Sequence, residues 1–182
     1  MGRDKALLPW QGKTFLGAAI EALAPLTELV IVVAGKNAES LKSTIYAEPG
    51  VYLVENPCPD KGQFSSLQVG LREVLNRGRD AAMVTLVDRP PARPATIAAL
   101  LSRFLDVCLP RSWAVVPEYN SRHGHPIVIG REMIEAFLKA PASSTAREVE
   151  HSLQKLIDYF KVDDPAVVAN INTPEEYEQL QR

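Results

Sequence analysis

Residues 29–34 read LVIVVA, a run that is apolar at every position. An extended chain points successive side chains to opposite faces, so a strand formed by this run would be buried on both faces. Burial on both faces is typical of parallel strands covered by helices. Similar short runs follow at residues 51–54 (VYLV), 82–87 (AMVTLV), 113–116 (WAVV) and 127–129 (IVI). The run therefore predicts an α/β domain built on a mostly parallel sheet.

Between the apolar runs, apolar residues recur every three or four positions, which is the pattern of helices with one buried face. The predicted helical stripes are Phe15, Ala19, Ile20 and Leu23; Phe64, Leu67, Leu71, Val74 and Leu75; and Ile97, Leu100, Leu101, Phe104 and Leu105. Further helices are expected after Gly130, from Ser143 or Ser144 with the stripe Val149, Leu153 and Leu156, and from Thr173-Pro174-Glu175-Glu176. Strands that alternate with helices predict a single-domain, doubly wound, Rossmann-like sheet over residues 1–182.

The composition is typical of one globular domain in water. Of the 182 residues, 46% are hydrophobic and 23% are charged, which excludes a disordered or collagen-like chain. The 20 basic and 22 acidic residues give a net charge of -2 without a block of one sign, so nucleic acid and anionic membranes are disfavoured as partners. The apolar runs are far shorter than the roughly 20 residues of a membrane helix. We expect a cytoplasmic protein that acts on small molecules.

Several common site patterns are missing from the sequence. Cys58 and Cys108 are far apart and neither belongs to a C-x-x-C pair, which argues against a zinc site, a dithiol redox centre or a disulfide. The glycines form neither the G-x-G pattern of dinucleotide-binding folds nor a P-loop.

Asp88 stands where the predicted sheet would bind a ligand. It follows the run 82–87 and precedes Arg89-Pro90-Pro91, which cannot continue as strand or helix. Ligands of parallel sheets bind beyond the carboxyl ends of the strands, and a carboxylate there binds Mg²⁺ when phosphate oxygens and water complete the coordination. The alternative is a turn aspartate that accepts hydrogen bonds from nearby backbone amides.

Several short motifs follow one another along the chain. They are MGRDKALLPWQGKTFL at the start, GQFSSLQVGL at residues 62–71, Val87-Asp88-Arg89-Pro90, Gly124-His125-Pro126, Ala146-Arg147, and NINTPEE at residues 170–176. Together they resemble the nucleotidyltransferases that act on molybdopterin, the molybdenum-cofactor cytidylyltransferases and guanylyltransferases. Gly124-His125-Pro126 resembles the cytidylyltransferase branch. The resemblance implies the sheet architecture of the nucleotide-diphospho-sugar transferases.

The resemblance also implies Mg²⁺-dependent transfer of a nucleoside monophosphate, with CMP favoured, from CTP or GTP to the phosphate of molybdopterin, with release of pyrophosphate. It implies Lys5 and Asp88 as catalytic residues, and Asp88 and Asn170 as metal ligands. The residues implied in nucleotide binding are Gly2, Arg3, Lys5, Gln63, Ser65 and Ser66, and those implied in acceptor binding are Arg122, His123, Gly124, His125, Pro126 and Arg147. A molybdoenzyme or a cofactor-insertion protein is the implied protein partner.

From the residues alone, simpler roles stay open. Arg3 and Lys5 could form a solvated charge pair, Ser65 or Ser66 could cap a helix, and Arg147 could lie on a solvated helix face. Two other functions also stay open: a nucleotidyltransferase that activates a sugar or alditol phosphate, and a non-catalytic module that binds nucleotide or cofactor.

Two departures from the family pattern lead to further expectations. The sequence begins at the methionine of the family's R-M-G, so we expect the gene product to start roughly fifteen residues upstream, with a strand, an L-A-A-G loop and an arginine. The resemblance places that strand in the middle of the sheet, so without it neighbouring backbone groups are expected to lack partners. Asn170 stands where the family usually has aspartate, and its amide oxygen can ligate Mg²⁺ without adding charge.

Overall fold

The computed structural model describes residues 4–107, 112–171 and 173–180. The strands are β1 (Pro9–Trp10), β2 (Lys13–Thr14), β3 (Val30–Ala34), β4 (Val51–Glu55), β5 (Ala81–Val84), β6 (Ala114–Tyr119), β7 (Arg122–His123), β8 (Ile127–Gly130) and β9 (Ile157–Lys161). The helices are α1 (Phe15–Leu23), α2 (Ala38–Tyr46), α3 (Gln63–Asn76), α4 (Pro94–Val107), α5 (Arg131–Lys139), α6 (Ala146–Ser152) and α7 (Pro174–Leu180). This alternation confirms the predicted α/β class.

The larger strands form two sheets. β3 and β4 pair in parallel, with Val30 opposite Val51. In the second sheet β8 runs antiparallel to both β5 and β6. β6 also pairs with β9, in parallel, and with the short β7, antiparallel. The fold is thus mixed, with β8 as the strand that reverses direction. β1 and β2 form a separate hairpin whose turn residues Gln11 and Gly12 have φ of 47° and 81°.

The two faces of β3 are covered by different helices. Val32 packs into the same hydrophobic cluster as Ile20 of α1. Val33 points the other way, toward α3, where a Cβ added to Gly70 would lie 2.9 Å from Val33 Cγ2. A glycine at position 70 therefore lets α3 approach the strand closely.

The same two helices also cover β5. Met83 packs into a cluster with Leu23 of α1, and its neighbour Val84 packs into the cluster that contains Leu71 of α3. Because successive strand residues point to opposite faces, α1 lies on one face of both β3 and β5 and α3 lies on the other. These two helices hold the two sheets together.

No ladder joins β3 to β5 within the described residues, although the same helices cover both strands. β3 pairs with β4 and β5 pairs with β8, so each has an edge without a neighbouring strand in that part of the chain. Residues 30–33 are only half-buried, in contrast to the burial on both faces that LVIVVA predicts. The reason is that a strand with one neighbour leaves an edge and part of each face open.

The prediction that the run 82–87 leads as a strand directly into Asp88 is wrong. β5 covers Ala81–Val84, and its pairing with β8 ends where Val84 lies opposite Ile127. Residues 85–87 continue as a loop, so Asp88 stands in a turn beyond the strand. The strand length is set by the length of its partner, which the run itself does not encode.

The predicted helix at Ser143 or Ser144 begins later, at Ala146. Thr145 is the cap: its Oγ1 accepts a hydrogen bond from Glu148 N at 3.2 Å, and the Glu148 carboxylate accepts one from Thr145 N at 2.7 Å. This reciprocal capping box fixes the start. The predicted apolar stripe does not lie on one helix. α6 ends at Ser152, and Leu156 belongs to a short 3-10 turn before β9.

Two further helix predictions have different outcomes. The start of α7 is confirmed, because Thr173 Oγ1 accepts from Glu176 N at 3.2 Å and the Glu176 carboxylate accepts from Thr173 N at 3.1 Å. Leu105 was expected in the buried stripe of α4, but it is 71% exposed. None of the helices in the described ranges is long and apolar enough to cross a membrane.

Candidate active site

Asp88 lies half-buried in the turn after β5. Its backbone oxygen accepts a hydrogen bond from the backbone N–H of Ile171 at 3.0 Å. This bond places Asn170, whose side chain is exposed, beside the Asp88 turn. The structure thus brings together the two chain segments that carry the predicted metal ligands, although these segments are distant in sequence.

The N-terminal segment packs against the same place. Ile171 is 1% exposed and packs in one cluster with Leu8 and Phe15. Leu8 closes the 3-10 turn that begins at Lys5. The segment that follows Lys5 and the segment that bonds to Asp88 therefore share one hydrophobic cluster. Gly2 and Arg3, also predicted to bind nucleotide, lie outside the described residues.

Asp4 connects the Lys5 turn to the end of β3. One carboxylate oxygen accepts from Ala6 N at 3.0 Å, and the other accepts from Asn37 Nδ2 at 2.6 Å. Asn37 Oδ1 in turn accepts from Gly35 N at 3.2 Å, just beyond the last residue of β3. Lys5 consequently stands at the carboxyl edge of the sheet, where ligands of parallel strands bind.

A buried asparagine that no motif singled out holds the start of α3. Asn56 is 5% exposed, and its Nδ2 donates to Ser65 Oγ at 2.8 Å and to Ser66 Oγ at 3.0 Å. Ser65 Oγ donates to the Gly62 carbonyl at 2.7 Å. Neither serine caps the helix, because Gly62 is the N-cap residue, with φ of 88°. Ser65 is engaged within the fold, whereas Gln63 is exposed in the first turn.

The Gly124-His125-Pro126 turn packs tightly against the backbone near Val167. A Cβ at Gly124 would lie 2.1 Å from the Val167 carbonyl oxygen, so only glycine fits there. His125 N donates to that same oxygen at 2.8 Å, and the His125–Pro126 peptide is cis. The turn is thereby fixed against the segment that leads to Asn170.

Three buried side-chain atoms in the described ranges have no hydrogen-bond partner, and all three belong to this region: Asp88 Oδ1, Arg89 Nε and His125 Nδ1. Burial, with a smaller effect of the Arg89 charge, lowers the pKa of His125 from 6.5 to about 4. His125 is therefore neutral near pH 7. An unpartnered buried polar atom is unfavourable, so this cluster is suited to a polar ligand.

The other predicted acceptor residues make contacts of their own. Arg122 is exposed, and its Nη2 reaches the Val168 carbonyl at 3.4 Å. His123 stacks on Tyr159 with ring centroids 4.0 Å apart and is exposed on its other side. Arg147 is exposed on α6, which packs against α5, and none of the contacts given above joins it to Asp88.

Asp164 is a second buried polar residue that the motifs did not mark. It is 1% exposed, and one carboxylate oxygen accepts from Arg93 N and from Thr96 Oγ1, each at 2.8 Å. The other oxygen accepts from Ala166 N at 3.1 Å. Asp164 therefore joins the start of α4 to the segment that carries Asn170. Arg93 and Thr96 are distant from Asp164 in sequence, so no local signal could reveal that it joins these two segments.

Residues 1–177 match the family model of the MobA-like NTP transferase domain. The chain belongs to this family. It is 32% identical over 181 residues to a molybdenum cofactor guanylyltransferase of Xanthomonas euvesicatoria pv. vesicatoria. That alignment covers 99% of this chain and 87% of the relative. It is 21% identical over 179 residues to the molybdenum cofactor cytidylyltransferase of Escherichia coli K12, covering 97% and 86%. The protein is thus a nucleotidyltransferase of the MobA-like family.

A solved structure shares the fold of this chain. The manganese complex of Rv0371c from Mycobacterium tuberculosis H37Rv aligns with a TM-score of 0.74 and 26% identity, over 97% of this chain and 90% of that one. The MobA-like fold of this chain is therefore shared with a protein that binds a divalent metal.

Asp88 and Asn170 carry donor atoms of the kind that divalent cations bind. Asp88 offers a carboxylate and Asn170 an amide oxygen, which are donors that hard cations prefer. Within the described ranges no group of three or more His, Cys, Asp or Glu residues could hold a metal. A closed protein site is therefore not built from those residue types there, whereas Mg²⁺ readily completes its coordination with water and phosphate oxygens.

A cleft of about 370 Å³ lies elsewhere on the MobA-like domain, along α3. Its lining includes Asn56, Lys61, Ser65 and Arg72, but neither Lys5 nor Asp88. Ser65 and Asn56 therefore connect this cleft with the start of α3.

Proposed function

We propose that this protein transfers a nucleoside monophosphate from a nucleoside triphosphate to the phosphate of the molybdenum cofactor. An oxygen of the acceptor phosphate forms a bond to the α-phosphorus. The bond from the α-phosphorus to the oxygen that bridges to the β-phosphate breaks, and pyrophosphate leaves. The observation that carries the proposal is the hydrogen bond from Ile171 to Asp88, which places Asn170 beside Asp88 at the carboxyl end of β5.

In this proposal the protein acts mainly by positioning and by charge. Lys5 binds phosphate oxygens of the donor, and Gln63 at the open start of α3 contacts its ribose or base. Asp88 and Asn170 hold Mg²⁺, which when bound neutralises charge on the donor's phosphates. His125, Gly124 and Pro126 shape the acceptor side. Phosphoryl transfer needs such positioning more than it needs an activated nucleophile.

We propose CTP as the donor, supported by the turn Gly124-His125-Pro126 and its resemblance to cytidylyltransferases. GTP is the direct competitor, because the 32% identical relative is a guanylyltransferase. Pyrophosphate release with each triphosphate and purified molybdenum cofactor decides between them. Faster release with GTP would replace CTP in the proposal without changing the reaction.

Asp88→Asn tests the metal role, because it keeps the side-chain shape and removes the charge. We expect pyrophosphate release to fall by about 100-fold or more, the typical loss of a preorganised charge-stabilising group. Asp106→Asn, on the exposed face of α4, is the matched control and should keep full activity. Undiminished release by Asp88→Asn would contradict the assignment.

Asn170→Asp tests the second ligand in the opposite direction. The added charge is expected to lower the Mg²⁺ concentration at which activity is half-maximal. An unchanged or higher value would remove Asn170 from the metal site. Calorimetric titration with CTP separates the remaining functions: binding without pyrophosphate release indicates a non-catalytic module, and release only with an alditol or sugar phosphate indicates a different acceptor.

A further inference from the structure

Arg89 and Arg122 bring two guanidinium groups to one short stretch of backbone. Arg89 Nη1 lies 3.4 Å from the Val167 carbonyl oxygen and 3.5 Å from that of Ala169, and Arg122 Nη2 lies 3.4 Å from that of Val168. These distances are at the long end for hydrogen bonds, so the bonds are weak. Since each guanidinium carries five N–H donors, three long bonds use little of their capacity.

The two guanidinium groups also lie within electrostatic reach of each other. The Asp88 carboxylate and the Arg122 charge both act on Arg89. Arg89 Nε is buried without a hydrogen-bond partner, as is His125 Nδ1 nearby. Two positively charged guanidinium groups that share one region favour the binding of an anion.

We propose that Arg89 and Arg122 together bind the phosphate of the acceptor, a phosphomonoester. The inference rests on the proposed function in that it names the charged group of the same acceptor. Arginine suits this role because its planar fork of N–H groups matches two phosphate oxygens at once. The neutral His125 ring lies beside the pair and adds a polar atom without a further charge. The competing role for Arg89 is to neutralise Asp88 alone.

Binding of inorganic phosphate to the full chain tests the site without any enzyme assay. We expect the side-chain Nε–H resonances of Arg89 and Arg122 to shift saturably in nitrogen-15 NMR titrations. Arg122→Gln, an exposed position, should weaken phosphate binding by about tenfold or more, while Arg72→Gln on α3 should leave it unchanged. Absence of a saturable shift, or equal weakening in both variants, would overturn the proposal.

Steady-state kinetics test the same pair during turnover. Arg122→Gln and Arg89→Lys are expected to raise the KM for the acceptor by about tenfold or more and to leave the KM for CTP unchanged. If Arg89 served only to neutralise Asp88, Arg122→Gln would not change the acceptor KM. An equal rise in both KM values also counts against the inference. Should Arg89→Lys fail to fold, Arg122→Gln alone decides.

The two proposals fail in different ways. Saturable phosphate shifts at both arginines without any nucleotidyl transfer would reject the proposed function and keep the anion site. Transfer with an acceptor KM that neither variant changes would keep the function and reject the anion site.

Discussion

Gly124 shows how one residue joins two distant segments of the site. Its Cα lies against the Val167 carbonyl, and the next residue, His125, donates a backbone hydrogen bond to the same oxygen. The glycine is required by close approach, since it is not among the residues with positive φ. Any side chain at this position would push the Gly124-His125-Pro126 turn away from the segment that carries Asn170.

We expect Gly124→Ala to lower the free energy of unfolding by about 2 kcal/mol or more, since overpacking of a backbone contact forces the chain apart. Urea unfolding measures the change. Gly17→Ala is the comparison, because its Cβ would lie 3.3 Å from Thr14 Oγ1, a tight contact with a side chain that is far less severe than 2.1 Å from a backbone oxygen. Equal stability of Gly124→Ala and the wild type would contradict the close contact.

His125 is expected to make the protein less stable in mild acid. Its pKa is lowered from 6.5 to about 4 by burial and by Arg89, so between these values the unfolded chain binds a proton that the folded chain does not. The free energy of unfolding therefore falls as pH drops through this window, by up to about 3 kcal/mol. Above pH 6.5 His125 is neutral in both the folded and the unfolded chain, so it no longer lowers the free energy of unfolding.

Urea unfolding across this window checks the effect of His125. His125→Gln should flatten the dependence of the unfolding free energy on pH, whereas His151→Gln, at an exposed position on α6, should retain the wild-type slope. The same slope in His125→Gln and wild type would assign the acid sensitivity to other groups.

At the scale of elements, Asp164 couples the start of α4 to the segment before Asn170. Its carboxylate accepts three hydrogen bonds while 1% exposed, so Asp164→Ala would leave buried donors without partners. We expect a loss of about 3 kcal/mol in unfolding free energy. Asp164→Asn keeps part of the bonding and should lose less. The exposed neighbour Asp163→Ala is the control, and an equal effect of both alanine variants would contradict the coupling.

Elements with strong local patterns could be predicted from the sequence. The stripe from Phe15 to Leu23 gives α1, and the threonine cap and proline at residues 173–174 give the start of α7. The end of β5 could not be predicted, because pairing with β8 determines it. β9 was missed because, between the buried Ile157 and the exposed Lys161, its residues are only half-buried, and a weak alternation does not distinguish it from an extended loop.

Motifs in the sequence select candidate site residues, whereas contacts between distant segments cannot be read from it. Asp88 was selected by its position after an apolar run and by resemblance, and Asn170 by resemblance alone; the backbone bond from Ile171 brings their two segments together. Asn56 and Asp164 are ordinary loop residues in the sequence. Their importance arises from partners that other elements supply, such as Ser65 and Thr96. A single sequence read locally contains no record of those partners.

At the scale of the whole molecule, the division into two sheets determines which backbone N–H groups exchange readily with solvent. β3 and β5 each pair on one side within the described residues, whereas β6 lies between β8 and β9. Alternate N–H groups of β3 and β5 therefore face the edge between the sheets. Backbone groups with no ladder partner exchange with solvent through small local openings, while those of a central strand need larger ones.

We expect hydrogen exchange to be faster at alternate residues of β3 and β5 than in β6, which serves as the internal control. Equal protection of all three strands would show that the two sheets are joined in solution.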